Sequence, residues 1–197
     1  MEQLPLQARA GTAFGLGMAA IVTTVFGFFW FGWGMGYGAV QWYCWVALYL
    51  AAIALVVFAV RAMRAGRALM REYAESDDSF RRTMGRRFGA ISAAEFAACG
   101  VVLLLCIIFH RFDLLAAGIS VVVGLHFIPL GRLFRFPVYY WTAAAIVAAD
   151  AAAVLLLRGD AITVGTGVAT GCVLWATALY ALVAASRARA MSAIAVP

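Results

Sequence analysis

Residues 40–60 read VQWYCWVALYLAAIALVVFAV, a run that contains no charged side chain. A helix that crosses the hydrocarbon core of a bilayer needs about 20 predominantly apolar residues, and this run has that length. The remainder of the chain is similar, because 66% of its 197 residues are hydrophobic and 12% are charged. A soluble domain is about half apolar and about a quarter charged. The sequence therefore predicts an integral membrane protein.

Six apolar runs are long enough to span a bilayer. The first is longer than the apolar core of a signal peptide, which has about 7–15 residues, so we expect it to be retained as a spanning helix. The sequence thus predicts an all-α, six-transmembrane-helix bundle that forms a single integral membrane domain over 1–197. The predicted spans are approximately 11–33, 40–60, 88–109, 114–131, 137–157 and 161–185.

The distribution of arginine predicts how the chain is threaded. All fifteen basic residues are arginine, and with six spans thirteen of them fall on one side, leaving only Arg111 and Arg158 on the other. Cytoplasmic loops of membrane proteins carry the excess of basic residues. We therefore expect both termini in the cytoplasm. The absence of lysine also excludes a retinal or pyridoxal Schiff base, since both are built on a lysine amine.

The only extended polar segment, 61–87, separates the second and third runs and carries eight arginines with four acids. Its first arginines recur at a spacing of three to four, which predicts a cytoplasmic helical extension of the second span. Ser76-Asp77-Asp78-Ser79 then offers N-cap side chains for a new helix. Polybasic segments beside a membrane bind anionic lipid headgroups, and we expect that partner here in addition to the lipid bilayer. The mixture of acids with arginines argues against nucleic acid.

Glycine patterns predict close packing between helices. Gly11-x-x-x-Gly15 and Gly167-x-x-x-Gly171 have the small-residue spacing that lets two helix backbones approach closely. We expect this packing to be intramolecular, although an oligomer stays open. Alternate glycines between Gly32 and Gly38 weaken a helix and predict an ordered turn at the outer end of the first span.

Three ionisable side chains lie inside predicted spans: Glu95, His126 and Asp150. A charge at the bilayer centre costs about 2.5–3.5 kcal/mol on insertion scales, so such groups mark candidate functional sites. At about 1.5 Å per residue, Glu95 lies roughly 12 Å beyond Arg87, and His126 lies roughly 9 Å from the same side. Because their spans are joined by a short connection, we expect the two side chains to meet in a hydrogen bond.

Asp150 is expected to lie deeper, roughly 22 Å from the arginine-rich side. Desolvation disfavours the charged form of a buried carboxylate, so both Asp150 and Glu95 are suited to carry a proton. Alanines flank both acids and leave room for close packing or for a cavity. For Asp150 the alternative is a purely structural bond to a threonine, because Thr163, Thr170 and Thr177 recur along the sixth span.

The fourth span ends in a distinctive segment, residues 124–137, GLHFIPLGRLFRFP. Pro129 removes the helix hydrogen bond to the carbonyl of Leu125 and is a candidate hinge beside His126. Arg132 and Arg135 follow and are expected at the cytoplasmic lip of the bundle. The structural alternative is an ordinary Glu–His bond that joins two helices.

Several short motifs between residues 88 and 145 occur together: Phe88-Gly89, Ala94-Glu95-Phe96, VGLHF with Pro129-Leu130, and Phe134-Arg135 with Pro137 and Tyr139-Tyr140. In these motifs the chain resembles an uncharacterised family of small multi-spanning bacterial integral membrane proteins. The resemblance implies that Glu95 and His126 belong to a shared pattern and that the protein lies in the bacterial inner (cell) membrane. It does not cover Asp150 and implies no activity.

Several site classes are absent from the sequence. The four cysteines form no C-x-x-C pair and lie in apolar context, so we expect no zinc site and no other metal site. The two histidines, His110 and His126, fall at opposite ends of neighbouring spans, too far apart to ligate one haem. No phosphate-binding glycine loop and no G-x-S-x-G elbow occurs. The sequence thus predicts no bound cofactor.

Three functions remain in competition. The preferred one is proton-linked transport or permeation of a small molecule, with Glu95 and His126 as the proton or substrate site and Asp150 as a further candidate. The second is an intramembrane enzyme that acts on a lipid or isoprenoid, with a buried carboxylic acid as general acid. The third is a non-catalytic subunit or sensor. The residues favour a role other than catalysis, and the substrate stays unknown.

Overall fold

The computed structural model describes the backbone of residues 6–36, 41–73 and 78–194, and the side chains of 14–36, 41–65 and 85–187. Within those ranges the chain is all-helical, and six helices are long and apolar enough to cross a membrane. This confirms the predicted helical, six-span membrane architecture. The helices are α1 Leu6–Gly36, α2 Trp42–Tyr73, α3 Asp78–Ile108, α4 Leu115–Phe134, α5 Val138–Leu156 and α6 Asp160–Ile194. A short 3-10 turn, Phe112–Leu114, precedes α4.

Three of these helices continue well past their predicted spans. α2 runs on to Tyr73, which confirms the helical extension predicted after residue 60, and α3 begins at Asp78. α6 continues to Ile194, beyond the predicted end at about 185. Hydropathy identifies only the apolar part of a helix, so it does not detect polar extensions of that helix. The predicted cap residues Ser76 and Asp77 and the side chains of 66–84 are outside the described residues.

The glycine-rich end of α1 differs from the sequence prediction. The turn expected between Gly32 and Gly38 was wrong for its first part, because α1 stays helical through Gly36; residues 37–40 are outside the described part of the chain. The physical reason is packing against α6. A Cβ built on Gly34 would lie 3.0 Å from the Cα of Gly167, so the missing side chain allows the two backbones to touch.

The chain divides into two compact units by its contacts. The first comprises Met1–Phe28, Gln41–Ser76 and Leu174–Pro197, and the second comprises Phe29–Val40 and Asp77–Val173. In the first unit α1 packs on α2 at Gly17, where a Cβ would lie 2.6 Å from a Met63 side-chain carbon. A Cβ on Gly15 would meet nothing within 4 Å. The predicted role of the first glycine pair in packing therefore fails at Gly15, and Gly11 lies outside the described side chains.

In the second unit α3 and α4 form an antiparallel hairpin. At one end the rings of Phe88 and Phe134 lie 6.2 Å apart. Toward the other end a side-chain methyl of Val102 lies 2.6 Å from where a Cβ on Gly118 would stand, so the missing side chain of Gly118 admits Val102. These two contacts fix the register, and they place the centres of both helices side by side.

The other face of α4 packs on α5, and α5 packs on α6. Ile146 lies against Gly124, where a Cβ would come within 3.0 Å of its methyl group. Phe127 and Tyr139 make an edge-to-face ring contact with centroids 5.1 Å apart. Gly165 admits Leu157 in the same way, at 2.6 Å. α4 therefore lies between α3 on one face and α5 on another, and both faces are available for polar contacts.

The Gly34–Gly167 contact yields a prediction about stability. A Cβ on Gly167 would lie 2.6 Å from backbone atoms of Gly34 and 2.7 Å from the carbonyl of Trp30, and backbone cannot move aside cheaply. We expect Gly167→Ala to destabilise the fold by about 1–3 kcal/mol and to lower the melting temperature of the detergent-purified protein. The control is Gly100→Ala, because nothing lies within 4 Å of a Cβ there. Equal melting temperatures for the two variants would contradict this packing.

Candidate functional site

Glu95 and His126 face each other across the centre of the α3–α4 hairpin. Glu95 lies on a stripe of α3 at helical spacing that continues through Ile91 and Val102 and packs against α4. His126 Nδ1 is 3.2 Å from Glu95 Oε2, and the two side chains are 10% and 17% exposed. The proximity predicted from depth and connectivity is therefore confirmed. The role of the pair in function stays a prediction.

The predicted hydrogen bond within this pair is not formed in the structure. The two atoms are within ion-pair distance, but the ring nitrogen does not point at the carboxylate oxygen, and among the described residues His126 Nδ1 has no hydrogen-bond partner. A small rotation of either side chain would align them, because 3.2 Å is already the separation of a long hydrogen bond. The arrangement can hold one proton between a carboxylate and an imidazole.

An open groove of about 400 Å³ begins one helical turn from the pair, between α3 and α4. Its wall is apolar except for two arginines, and its lining residues are Arg87, Ala90, Ile91, Pro129, Arg132 and Leu133. Ile91 is one turn from Glu95, and Pro129 is just under one turn from His126, a rise of about 4–6 Å. Among the described residues neither Arg87 nor Arg132 has an acidic partner. The groove thus places two arginines about one helical turn from the Glu–His pair, although neither member of the pair lines it.

The predicted hinge, Pro129, and the predicted lip residues, Arg132 and Arg135, occupy different positions in the structure. Pro129 lies inside the continuous helix α4 and lines the groove together with Arg132. Arg135 does not line it. Instead, Arg135 ends α4 in the left-handed conformation, with φ of 50°, and its backbone N–H donates to the carbonyl of Gly131. Arg135 therefore acts in the turn to α5, whereas the hinge role of Pro129 stays a prediction.

Asp150 lies apart from the pair, in a polar cluster between α4, α5 and α6. It is 1% exposed, and neither carboxylate oxygen has a hydrogen-bond partner among the described residues. The hydroxyls of Ser120 and Thr166 face the carboxyl, but neither is aligned for a hydrogen bond, and the Thr166 hydroxyl is itself buried without a described partner. Ser120 instead shares a hydrogen bond of 2.7 Å with Thr170.

The structural alternative, a bond between Asp150 and a threonine of α6, stays a prediction. The threonine that faces the carboxyl is Thr166, and Thr170 bonds to Ser120. Sequence reasoning missed Thr166, Ser120 and Arg87 as site residues. Thr166 could have been found, because it lies three and four residues from Thr163 and Thr170 on the same helical stripe. Ser120 gave no signal of its own, since one serine in an apolar helix is ordinary.

Metal ligands of the usual kind are not gathered anywhere in the described part of the chain, where no three His, Cys, Asp or Glu side chains come together. Comparisons with known proteins add no assignment: no family model, no curated protein and no solved structure matches this chain. The candidate site therefore rests on its own geometry.

The Glu95–His126 contact predicts energetic coupling between the two residues. Glu95→Gln and His126→Gln should each change the free energy of unfolding. The double variant should differ from their sum by about 0.6 kcal/mol, the average for interhelical side-chain bonds in a membrane protein, and by at most about 1.7 kcal/mol. Unfolding would be followed in detergent by circular dichroism. Glu95→Gln combined with Arg158→Gln is the control, because Arg158 is exposed and donates to carbonyls at the end of α5. If the two cycles are equally additive, the pair does not interact.

Proposed function

We propose that this chain is a proton-linked carrier or permeation protein for a small anionic molecule. The observation that carries the proposal is the groove between α3 and α4, which has Arg87 and Arg132 in its wall and ends one turn from Glu95 and His126. An anion site and a proton site would then lie on the same two helices. This is the arrangement that coupled binding of an anion and a proton requires.

The two arginines suit the anion. Each guanidinium presents a planar set of donors that matches a carboxylate or phosphate. The remaining wall is formed by apolar side chains and Pro129, which accommodates the carbon skeleton of a small organic acid. Because no described acid neutralises Arg87 or Arg132, their charges are available to a ligand.

The Glu–His pair suits the proton. Carboxylates and histidines inside membrane spans are the usual components of proton relays. A unit charge about 10 Å away, at an effective dielectric constant of about 20, acts with about 1–2 kcal/mol. An anion in the groove would therefore favour proton uptake by the pair roughly tenfold. Proton and anion would bind together because each compensates the charge of the other.

The arginine bias supports the orientation in this proposal. With thirteen of fifteen arginines on one side, both termini and the mouth of the groove would face the cytoplasm. The segment 61–87 would bind anionic lipid headgroups on that side. Placement in the bacterial inner membrane is part of the same proposal.

The shape of the groove favours transport over the enzyme alternative. An intramembrane enzyme for a lipid or isoprenoid would need an apolar, closed cavity that ends at a carboxyl group. The groove beside Glu95 is open and carries two arginines. Both features fit an entry path for a polar solute better than a pocket for a hydrocarbon.

Proton flux in proteoliposomes tests the proposal. Vesicles that contain the protein and an internal pH-sensitive dye would be given an acid-outside gradient together with succinate, lactate or inorganic phosphate. We expect at least one anion to accelerate internal acidification, and Glu95→Gln to abolish that acceleration because the carboxyl can no longer carry the proton. Asp113→Asn is the matched control, since that carboxylate pairs with Arg111 at 2.9 Å, away from the groove. Equal flux for Glu95→Gln and the wild type, or no response to any of the three anions, would refute the proposal.

The groove arginines predict a separate effect on affinity. Arg87→Gln and Arg132→Gln should each raise the half-saturating concentration of the transported anion about tenfold or more, because a charge-assisted hydrogen bond contributes about 1.5–3 kcal/mol. Arg86→Gln is the control: its neighbour Arg87 lines the groove and Arg86 does not, although both are exposed. The measurement is the dependence of the initial flux on anion concentration. A similar increase in Arg86→Gln would mean that only the general surface charge matters.

A further inference from the structure

The polar cluster around Asp150 is buried, but several of its polar atoms lack an aligned hydrogen-bond or ion-pair partner. Asp150 is 1% exposed, and Ser120, Thr166 and Thr170 are each 0% exposed. Both carboxylate oxygens and the Thr166 hydroxyl have no hydrogen-bond partner among the described residues, and no described arginine or histidine pairs with the carboxylate. An unpaired charge in apolar surroundings is strongly disfavoured, so the carboxylate must be neutralised by a species from outside the chain.

The hydroxyls of the cluster are arranged differently from those of two other buried threonines, although the buried hydroxyl of Thr24 also lacks a described hydrogen-bond partner. Thr142 and Thr23 donate to the carbonyl four residues earlier in their own helices, at 3.1 and 2.8 Å, which is how a threonine inside an apolar helix is usually satisfied. Thr166 makes no such bond, although it has the same option. Ser120 and Thr170 bond to each other across two helices. The hydroxyls of Ser120 and Thr166 therefore face the carboxylate from α4 and α6, and Thr170 joins the group through its bond to Ser120.

We propose that Asp150, Ser120, Thr166 and Thr170 form a binding site for a sodium ion. Carboxylate and hydroxyl oxygens are hard donors, the class that hard cations take as ligands. One carboxylate and one monovalent cation make a neutral site, whereas a divalent cation would leave a net positive charge in apolar surroundings. A protonated carboxyl needs one acceptor for its single hydrogen bond. Besides the two oxygens of Asp150, the cluster holds three hydroxyl oxygens from two other helices, and a set of five oxygen atoms fits a coordinated ion.

This site is distinct from the Glu95–His126 pair. Ser120 and His126 lie on α4 six positions apart, about 9 Å along the axis and on different faces of the helix. Sodium binding therefore does not depend on the transport proposal. It is measured on the purified protein without a gradient or a transported anion, so the two proposals can fail separately.

Binding of radiolabelled sodium to the full-length protein in detergent tests the site. We expect saturable binding that unlabelled NaCl competes away and choline chloride does not, together with a higher melting temperature in NaCl than in choline chloride at equal ionic strength. Asp150→Asn, which keeps the shape of the side chain, should weaken binding at least about tenfold, a typical effect of disturbing a metal site. Absence of saturable sodium binding to the wild type would mean that a proton alone neutralises Asp150, and it would overturn the proposal.

A second pair of variants keeps the test decisive if Asp150→Asn does not fold. Thr166→Val should weaken sodium binding several-fold, because it replaces one ligand by a methyl group of similar size. Thr142→Val removes an equally buried hydroxyl that already bonds to its own helix, and it should leave the affinity unchanged. Equal affinities of these two variants would overturn the assignment of Thr166 as a ligand and the site built on it.

Discussion

The desolvation of polar side chains is the constraint on which the arrangement of α3, α4, α5 and α6 depends. Inside an apolar helix a carboxylate or imidazole must find its partner on another helix, because water is excluded. α4 meets this need on two faces. His126 approaches Glu95 of α3, and Ser120 bonds to Thr170 of α6. Glycines 118 and 124 admit side chains of α3 and α5 on the same helix, so close packing and polar pairing occur together along α4.

Desolvation affects the two acids differently, because they differ in exposure and in nearby polar partners. Glu95 has a histidine within 3.2 Å and keeps some exposure. Asp150 has almost no exposure and no aligned partner among the described residues. From the sequence, the threonines of α6 gave Asp150 a structural role and left the Glu–His pair as the main anomaly. The geometry reverses this order, since Glu95 has a nearby partner and Asp150 is the buried acid without one.

The sequence predicted those features that depend on one helix or on one short connection. Apolar length alone located the six spans. The short connection between α3 and α4, with a rise of 1.5 Å per residue, brought Glu95 and His126 to the same level. It did not predict that α1 remains helical through Gly34, because that depends on a contact with Gly167, far along the chain. Nor did it find Ser120 or Thr166 beside Asp150, because the rotation of each helix about its own axis is set by packing between non-consecutive helices.

A balance of charge connects the two polar sites. Three ionisable groups lie in the middle of these helices, two acids and one base, and the chain has no lysine. The one base lies beside Glu95, so Glu95 and His126 can be neutral together, either as an ion pair or with one proton between them. Among the described residues, no basic side chain pairs with Asp150 to neutralise it. Its counter-charge must therefore enter from solution, and any species that binds there carries one positive charge into the interior of the protein.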